Sequence, residues 1–74
     1  MRLTVYSRSG CHLCDEMVGG LRERGLAPEI IDVDRDPELA SRYGLRVPVL
    51  VIDEEEICHF HLDSARLDRV LGGQ

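Results

Sequence analysis

The sequence predicts an α/β fold, a four-stranded mixed sheet with helices on both faces in the order β-α-β-α-β-β-α. Apolar residues alternate in the first segment, recur at helical spacing in the second and run continuously in a later one. The strand–helix–strand start favours a parallel pair, whereas a short turn before the last strand requires an antiparallel pair. The chain has 74 residues, so one domain, 1–74, is expected.

The first strand is predicted at 3–6, and the turn-forming cluster Ser7-Arg8-Ser9-Gly10 ends it. A helix follows because the next apolar residues are three and four apart, and Gly25 is its natural stop. Two glycines, Gly19 and Gly20, fall inside this helix at a cost of roughly 1 kcal/mol each. Close packing against the sheet or fraying of the helix would explain them. The apolar residues of the helix are Leu13, Cys14, Met17, Val18 and Leu21.

The second strand is predicted at 29–33, and a short helix follows it. Asp36 is typical of a helix cap, Pro37 of a first helical position, and Gly44 of a helix end. The apolar run at 48–52 is typical of a strand that is covered on both faces.

The acidic residues 53–56 read as a solvated turn, and the fourth strand is predicted at 57–60. The last helix is expected to open at Asp63 and Ser64 and to close at Gly72 and Gly73. Its apolar face is formed by Leu67, Val70 and Leu71.

Composition excludes several classes of function. The net charge is −5 and the nine basic residues are scattered, which argues against nucleic-acid binding. No apolar run approaches the ~20 residues of a membrane span. The first residues alternate like a strand and lack the features of a signal peptide, so a cytoplasmic protein is expected. Three cysteines, an odd number, suit chemistry better than a disulfide scaffold.

Cys11 and Cys14 form a CxxC motif at the start of the first helix. Two cysteines three residues apart on a helix share one face and can form a disulfide. The helix N-terminus favours an anion, which lowers the pKa of a thiol placed there. Arg8 and protonated His12 are expected to lower the pKa of Cys11 further, while the acidic residues at 15 and 16 oppose them. The motif therefore predicts thiol–disulfide chemistry.

The alternative for this motif is half of a zinc or iron–sulfur site, completed by Cys58, His59 or His61. The fourth strand lies two strands from the first, about 10 Å across the predicted sheet. At that distance its side chains and the CxxC motif of the same chain can hardly bind one metal ion together. Cys58 is expected to be an inert packing residue. The two histidines are expected on the opposite face of its strand, as surface residues.

The segment Tyr6–Cys14 together with Arg46-Val47-Pro48 resembles the glutaredoxin-like proteins of the thioredoxin superfamily. It is especially similar to a small bacterial subgroup with a Ser-Arg-x-Gly-Cys-x-Leu-Cys start. The resemblance covers the whole chain in element order. It implies a thioredoxin-like fold of the glutaredoxin type, with strand order 2-1-3-4.

The resemblance also implies roles for individual residues. Cys11 would be the nucleophile and Cys14 the resolving cysteine, in a dithiol thiol–disulfide oxidoreductase that reduces protein or glutathione mixed disulfides. Arg8 takes the place of a family lysine that contacts the thiolate or glutathione. Pro48 would follow a cis peptide, and the backbone of Val47 would pair with substrate. No bound cofactor is implied.

Two departures from the family bear on the electron donor. Leu13 stands where many glutaredoxins have tyrosine, and the segment 57–62 lacks the glycine pair that leads to a glutathione-binding acidic residue. Asp63 and Ser64 could still hold the charged end of a small ligand. Glutathione, as co-substrate, and thioredoxin reductase both remain possible donors.

Three classes of function follow from these observations. They are a monomeric oxidoreductase whose partners are disulfide-bearing proteins or glutathione, a metal or iron–sulfur module, and a non-enzymatic thioredoxin-fold adaptor. Loss of activity in a Cys11→Ser variant would distinguish the first from the third.

Overall fold

The structure is a computed structural model that describes residues 1–72, and its element order confirms the predicted β-α-β-α-β-β-α arrangement. Gly73, which was expected to help close the last helix, lies outside the described residues. A 3-10 turn at Val33–Arg35 joins the second strand to the second helix. The elements are β1 (Leu3–Ser7), α1 (His12–Glu23), β2 (Glu29–Asp32), α2 (Pro37–Tyr43), β3 (Val49–Ile52), β4 (Glu55–His59) and α3 (Ser64–Leu71).

The strands are ordered β2-β1-β3-β4, which confirms the order 2-1-3-4. The strand β1 is parallel to β2 and antiparallel to β3, so Tyr6 pairs with Ile31 on one side and Val49 on the other. The strand β4 runs antiparallel to β3. Consequently β1, β2 and β4 end, and β3 begins, at one edge of the sheet, which we call the Cys11 edge. The loop that carries Cys11 leaves β1 there.

Helices cover both faces of the sheet. On one face α1 and α3 pack against the strands, and eight buried side chains form a continuous core. On the other face α2 lies against β1, where the ring of Tyr43 stacks on that of Tyr6 with centroids 4.2 Å apart. The core residues are Val5, Met17, Val18, Leu21, Leu50, Ile52, Ile57 and Leu67. Within residues 1–72, every helix is too short or too polar to span a membrane.

Side-chain caps fix the starts of α2 and α3. The Asp36 carboxylate accepts a hydrogen bond from the main-chain N–H of Glu38 at 2.9 Å, and Pro37 is the first helical residue. Asp63 accepts from the N–H of Arg66 at 3.0 Å. Both caps were predicted, because an aspartate oxygen satisfies an amide that the first helical turn leaves without a partner.

The turn before β4 is shorter than predicted. It consists of Asp53 and Glu54 alone, and β4 begins at Glu55, so the expected four-residue acidic turn is wrong. Asp53 and Glu54 have φ values of 49° and 73°. Two positive φ values are what the tightest right-twisted hairpins require, although Asn and Gly are the residues that usually supply them.

The strand β4 also ends earlier than predicted. Phe60 has a φ of 65°, which breaks the extended backbone, so His61 lies beyond the strand and does not share a strand face with His59. A register shift in the β3–β4 pairing falls between Leu50 and Val51. The partners of these two residues in β4 are Cys58 and Glu56, so Ile57 is the extra residue and the shift lies before His59.

The two glycines of α1 have different surroundings. A Cβ atom on Gly20 would lie 3.0 Å from Cδ2 of Leu62, in the segment before α3, whereas one on Gly19 would meet nothing within 4 Å. Close packing against the sheet, one of the two explanations considered for these glycines, therefore does not account for Gly19. Only Gly20 allows a close approach, and its neighbour is a loop side chain.

Candidate active site

The two cysteines of the CxxC motif form a disulfide, with their Cα atoms 5.2 Å apart. Cys14 is buried in the first turn of α1, with 3 % of its surface exposed, whereas Cys11 is half-buried. The main-chain N–H of Cys14 donates a hydrogen bond to Sγ of Cys11 at 3.1 Å. The accessible sulfur is therefore the one that an attacking thiol reaches first.

Local backbone geometry places the sulfur of Cys11 at the helix N-terminus. Gly10 has a φ of 76°, a value that glycine adopts without strain and that turns the chain from β1 into α1. Cys11 is the N-cap residue in an extended conformation, and its carbonyl accepts from the N–H of Asp15 at 3.2 Å. The amides and the dipole of α1 thus face this sulfur and favour its anionic form.

The Val47–Pro48 peptide bond is cis. Because β3 begins at the Cys11 edge, this peptide lies at the same edge as the loop of the CxxC motif. Pro48 is fully buried, and its carbonyl accepts from the N–H of Phe60 at 3.0 Å. Within residues 1–72 no hydrogen bond occupies the main chain of Val47, which leaves its N–H and carbonyl free to pair with another strand.

The side chain of Arg8 is held by two other elements of the Cys11 edge. Its Nε lies 3.0 Å and 3.2 Å from the two carboxylate oxygens of Asp34, and Nη1 donates to the carbonyl of Gly44 at 3.1 Å. The positive charge that was expected to tune Cys11 is thus already paired. His12 is the first residue of α1 and its side chain is exposed.

Leu13, the residue between His12 and Cys14, lines a groove formed by α1 and the segment that follows β4. Phe60 is 42 % exposed in this groove, and its ring packs edge-on against His59 with centroids 4.8 Å apart. Leu62 completes the apolar wall. The structure therefore brings Leu13 together with an aromatic residue that was expected to belong to a strand.

The structure does not bring Asp63 and Ser64 into that groove. Asp63 lines a separate depression with Cys58, His59 and Arg66, and its carboxylate caps α3. Ser64 is the first residue of the helix. A charged group of a ligand would have to compete with the N–H of Arg66 for the carboxylate of Asp63.

Cys58 is half-buried and packs against the core. Burial raises the pKa of its thiol, so less of it is ionised than in an ordinary cysteine. His59 Nδ1 lies 3.6 Å from a carboxylate oxygen of Glu56. Across residues 1–72, no three His, Cys, Asp or Glu side chains are grouped so that they could hold a metal ion.

Sequence reasoning missed Asp34, Gly44 and Phe60. The first two meet Arg8 across sequence separations of 26 and 36 residues, which no local pattern encodes. Phe60 could have been found from its position, because it is an aromatic residue that lies between two histidines at the end of a predicted strand.

Comparison with known proteins assigns the family. The glutaredoxin-like domain model (DUF836) matches residues 2–72. The protein XcR50 from X. campestris is 40% identical, with a TM-score of 0.80 over 97% of each chain. Ne2328 from Nitrosomonas europaea is also 40% identical, with a TM-score of 0.83 over 93% of this chain and 88% of that one.

The glutaredoxin-like protein NrdH of Escherichia coli is 42% identical over 41 residues, which span 55% of this chain and 51% of NrdH. The match thus extends over about half the length of that relative. The solved NrdH-redoxin structure superimposes with a TM-score of 0.72 at 31% identity, over 86% of this chain and 90% of that one, and was described as the basis of a thioredoxin-like activity profile. With its CxxC motif, its cis-proline and a family match over nearly its whole length, the chain belongs to the glutaredoxin-like domain family (DUF836).

Proposed function

We propose that the chain is a dithiol thiol–disulfide oxidoreductase that reduces disulfide-bearing proteins and is itself reduced by a thioredoxin reductase system rather than by glutathione. The single observation that carries the proposal is the Cys11–Cys14 disulfide at the N-terminus of α1, with the N–H of Cys14 directed at Sγ of Cys11. The same contact stabilises a thiolate on Cys11 once the disulfide is opened.

The reaction proceeds by two exchanges. The Cys11 thiolate attacks one sulfur of the substrate disulfide, so a mixed disulfide forms and the other substrate sulfur leaves with the electron pair. Cys14, buried beside it, then loses its proton and attacks Sγ of Cys11, which releases the second substrate thiol. The two electrons come from the dithiol, and NADPH restores them through the reductase.

The free main chain of Val47 supports a docking mode for the substrate. A segment on either side of the substrate cysteine pairs with Val47 as an added strand and so brings its disulfide to the Cys11 edge. Because main-chain hydrogen bonds carry this contact, it suits proteins of many sequences. Pro48 follows Val47 at the Cys11 edge, and Leu13, the residue before Cys14, lines the groove that α1 forms with Phe60.

Three observations favour thioredoxin reductase over glutathione as the source of electrons. The segment 57–62 has no glycine pair. The Asp63 carboxylate is committed to capping α3. A relative that is 31% identical over most of this chain, the NrdH-redoxin of Escherichia coli, was described with a thioredoxin-like activity profile.

NADPH consumption with insulin as the disulfide substrate tests the proposal. One reaction contains bacterial thioredoxin reductase and the other contains glutathione with glutathione reductase. We expect turnover in the first, its loss in Cys11→Ser, and wild-type turnover in the matched control Cys58→Ser. Turnover only with glutathione would overturn the choice of donor. Turnover with neither system, while a partner still binds Cys11→Ser, would favour the adaptor.

A further inference from the structure

The guanidinium of Arg8 sits in a socket formed by the turn after β2 and by the end of α2. Nε faces both carboxylate oxygens of Asp34, and Nη1 donates to the carbonyl of Gly44. A Cβ atom on Gly44 would lie 2.9 Å from Nη2 of Arg8 and closer still to the main-chain oxygen of Ala40, so the guanidinium packs tightly against the end of α2. The N–H of Asp34 is itself held by the Asp32 carboxylate at 2.9 Å, which fixes one wall of the socket.

This socket changes the charge beside the disulfide. Arg8 lines the same depression as Cys14 and Asp15, but Asp34 neutralises it. Asp15 and Glu16 follow the motif directly, and the next cation in the depression, Arg22, stands two helical turns beyond Asp15. A small thiol that carries carboxylates, such as glutathione, therefore finds no unpaired cation in the first turn of α1 to bind its carboxylates. The exception is His12 when its side chain is protonated.

We propose that Asp34 is a specificity-determining residue, which disfavours glutathione and other carboxylate-bearing thiols by occupying the guanidinium of Arg8. The inference rests on the proposed function and assigns the choice of reductant to one ion pair. In the disfavoured reaction a glutathione thiolate attacks Sγ of Cys11 and Cys14 leaves as a thiolate. A second glutathione then releases glutathione disulfide and the reduced protein, so two glutathiones supply the two electrons.

The test measures how fast thiols reduce the Cys11–Cys14 disulfide of the purified protein, followed by alkylation and intact mass. Two reductants are compared: glutathione, whose thiolate also carries carboxylates, and 2-mercaptoethanol, whose thiolate carries none. Their ratio of rate constants isolates carboxylate recognition, because a change in the reactivity of Cys11 itself affects both thiols alike. Asp34→Asn keeps the shape of the side chain and removes its charge.

In Asp34→Asn we expect the ratio of glutathione to 2-mercaptoethanol rates to rise by up to about fivefold, the range that an exposed ion pair supports. The rise should shrink at high salt. Adding Arg8→Gln to this variant should return the ratio to its wild-type value. The matched control is Asp68→Asn, which removes the same charge from the ion pair with Arg24 between α1 and α3.

An unchanged ratio in a folded Asp34→Asn protein overturns the inference, and so does an equal rise in Asp68→Asn, because net charge alone would then explain it. The proposed function fails separately, through absence of turnover with thioredoxin reductase. The ratio of the two thiol rate constants is measured without any reductase enzyme. Failure of the inference and failure of the proposed function are therefore seen in different measurements.

Discussion

The main-chain N–H of Phe60 donates to the carbonyl of Pro48 at 3.0 Å, and this bond joins the segment after β4 to the cis-proline segment before β3. The φ of 65° at Phe60 turns its backbone at the point where the strand ends. The ring is 42 % exposed in the groove of Leu13, whereas Pro48 is fully buried. One hydrogen bond thus links a wall of the Leu13 groove to the cis-proline segment at the Cys11 edge.

Cys14→Ser should trap the covalent intermediate. Without the resolving thiol, the mixed disulfide between Cys11 and a substrate cannot be opened from within the protein. We expect an adduct of one substrate per chain on intact mass spectrometry under non-reducing conditions. Cys11→Ser should give no adduct, and an adduct through Cys58 in that variant would contradict the assignment of the nucleophile.

Cys58 should react slowly while the protein is folded. The thiolate is the reactive form, and burial raises the pKa of this thiol, so the ionised fraction at a given pH falls below that of an ordinary cysteine. In a variant with Cys11→Ser and Cys14→Ser, alkylation by iodoacetamide should accelerate as the pH rises. It should also accelerate on unfolding in urea at fixed pH. Equal rates with and without urea would count against a buried thiol.

Leu67→Ala should destabilise the fold strongly. Leu67 is fully buried and is the residue by which α3 enters the core. Truncation of a buried leucine costs about 2–5 kcal/mol, a large share of the stability of a domain this small. Urea denaturation followed by circular dichroism measures the loss. The control is Leu45→Ala, where the side chain is 92% exposed and the change should be close to zero.

Alanine at the two glycines of α1 should have unequal effects. Gly19→Ala should raise the free energy of unfolding by roughly 0.5–1 kcal/mol, because alanine favours the helix and the new Cβ atom meets open space. Gly20→Ala should gain less, since Leu62 must shift to admit the Cβ atom. Parallel urea titrations compare the variants, and a larger gain at Gly20 would contradict the observed packing.

Glu54→Gly should stabilise the β3–β4 hairpin. Glu54 has a φ of 73°, a conformation that costs a residue with a Cβ atom about 1–2 kcal/mol and costs glycine little. The greater freedom of glycine in the unfolded chain offsets part of this, so the net gain should be below about 1 kcal/mol. Thermal unfolding measures it. Glu54→Ala is the control, because it removes the carboxylate and keeps the strained backbone.

Local patterns were sufficient to predict the elements and the disulfide. Spacing of apolar residues located α1, and Asp36 and Asp63 were found because a cap acts within three residues of its position in the chain. The strand order came from a resemblance, since no local pattern states which strands pair.

The errors have a common physical origin. The Asp53–Glu54 turn and the break at Phe60 place positive φ values on residues that seldom adopt them. The residue types at these positions therefore did not predict where the turn and the end of β4 would lie. The partners of Arg8 depend on how α2 docks on the sheet. The docking of α2 on the sheet is a tertiary contact between residues far apart in the sequence, so local patterns do not predict it. The charge environment of the candidate site depends on this contact.

The stacked pair of Tyr6 and Tyr43 has a spectroscopic consequence. The chain has two tyrosines and no tryptophan, so all of its tyrosine absorption and emission arises from one contact between β1 and α2. With the redox state of the Cys11–Cys14 disulfide held fixed, the tyrosine bands of the near-ultraviolet circular dichroism spectrum therefore report the attachment of α2 to the sheet without any added label. Since Gly44 at the end of α2 holds Arg8, the same optical signal monitors the helix that positions the cation beside the disulfide.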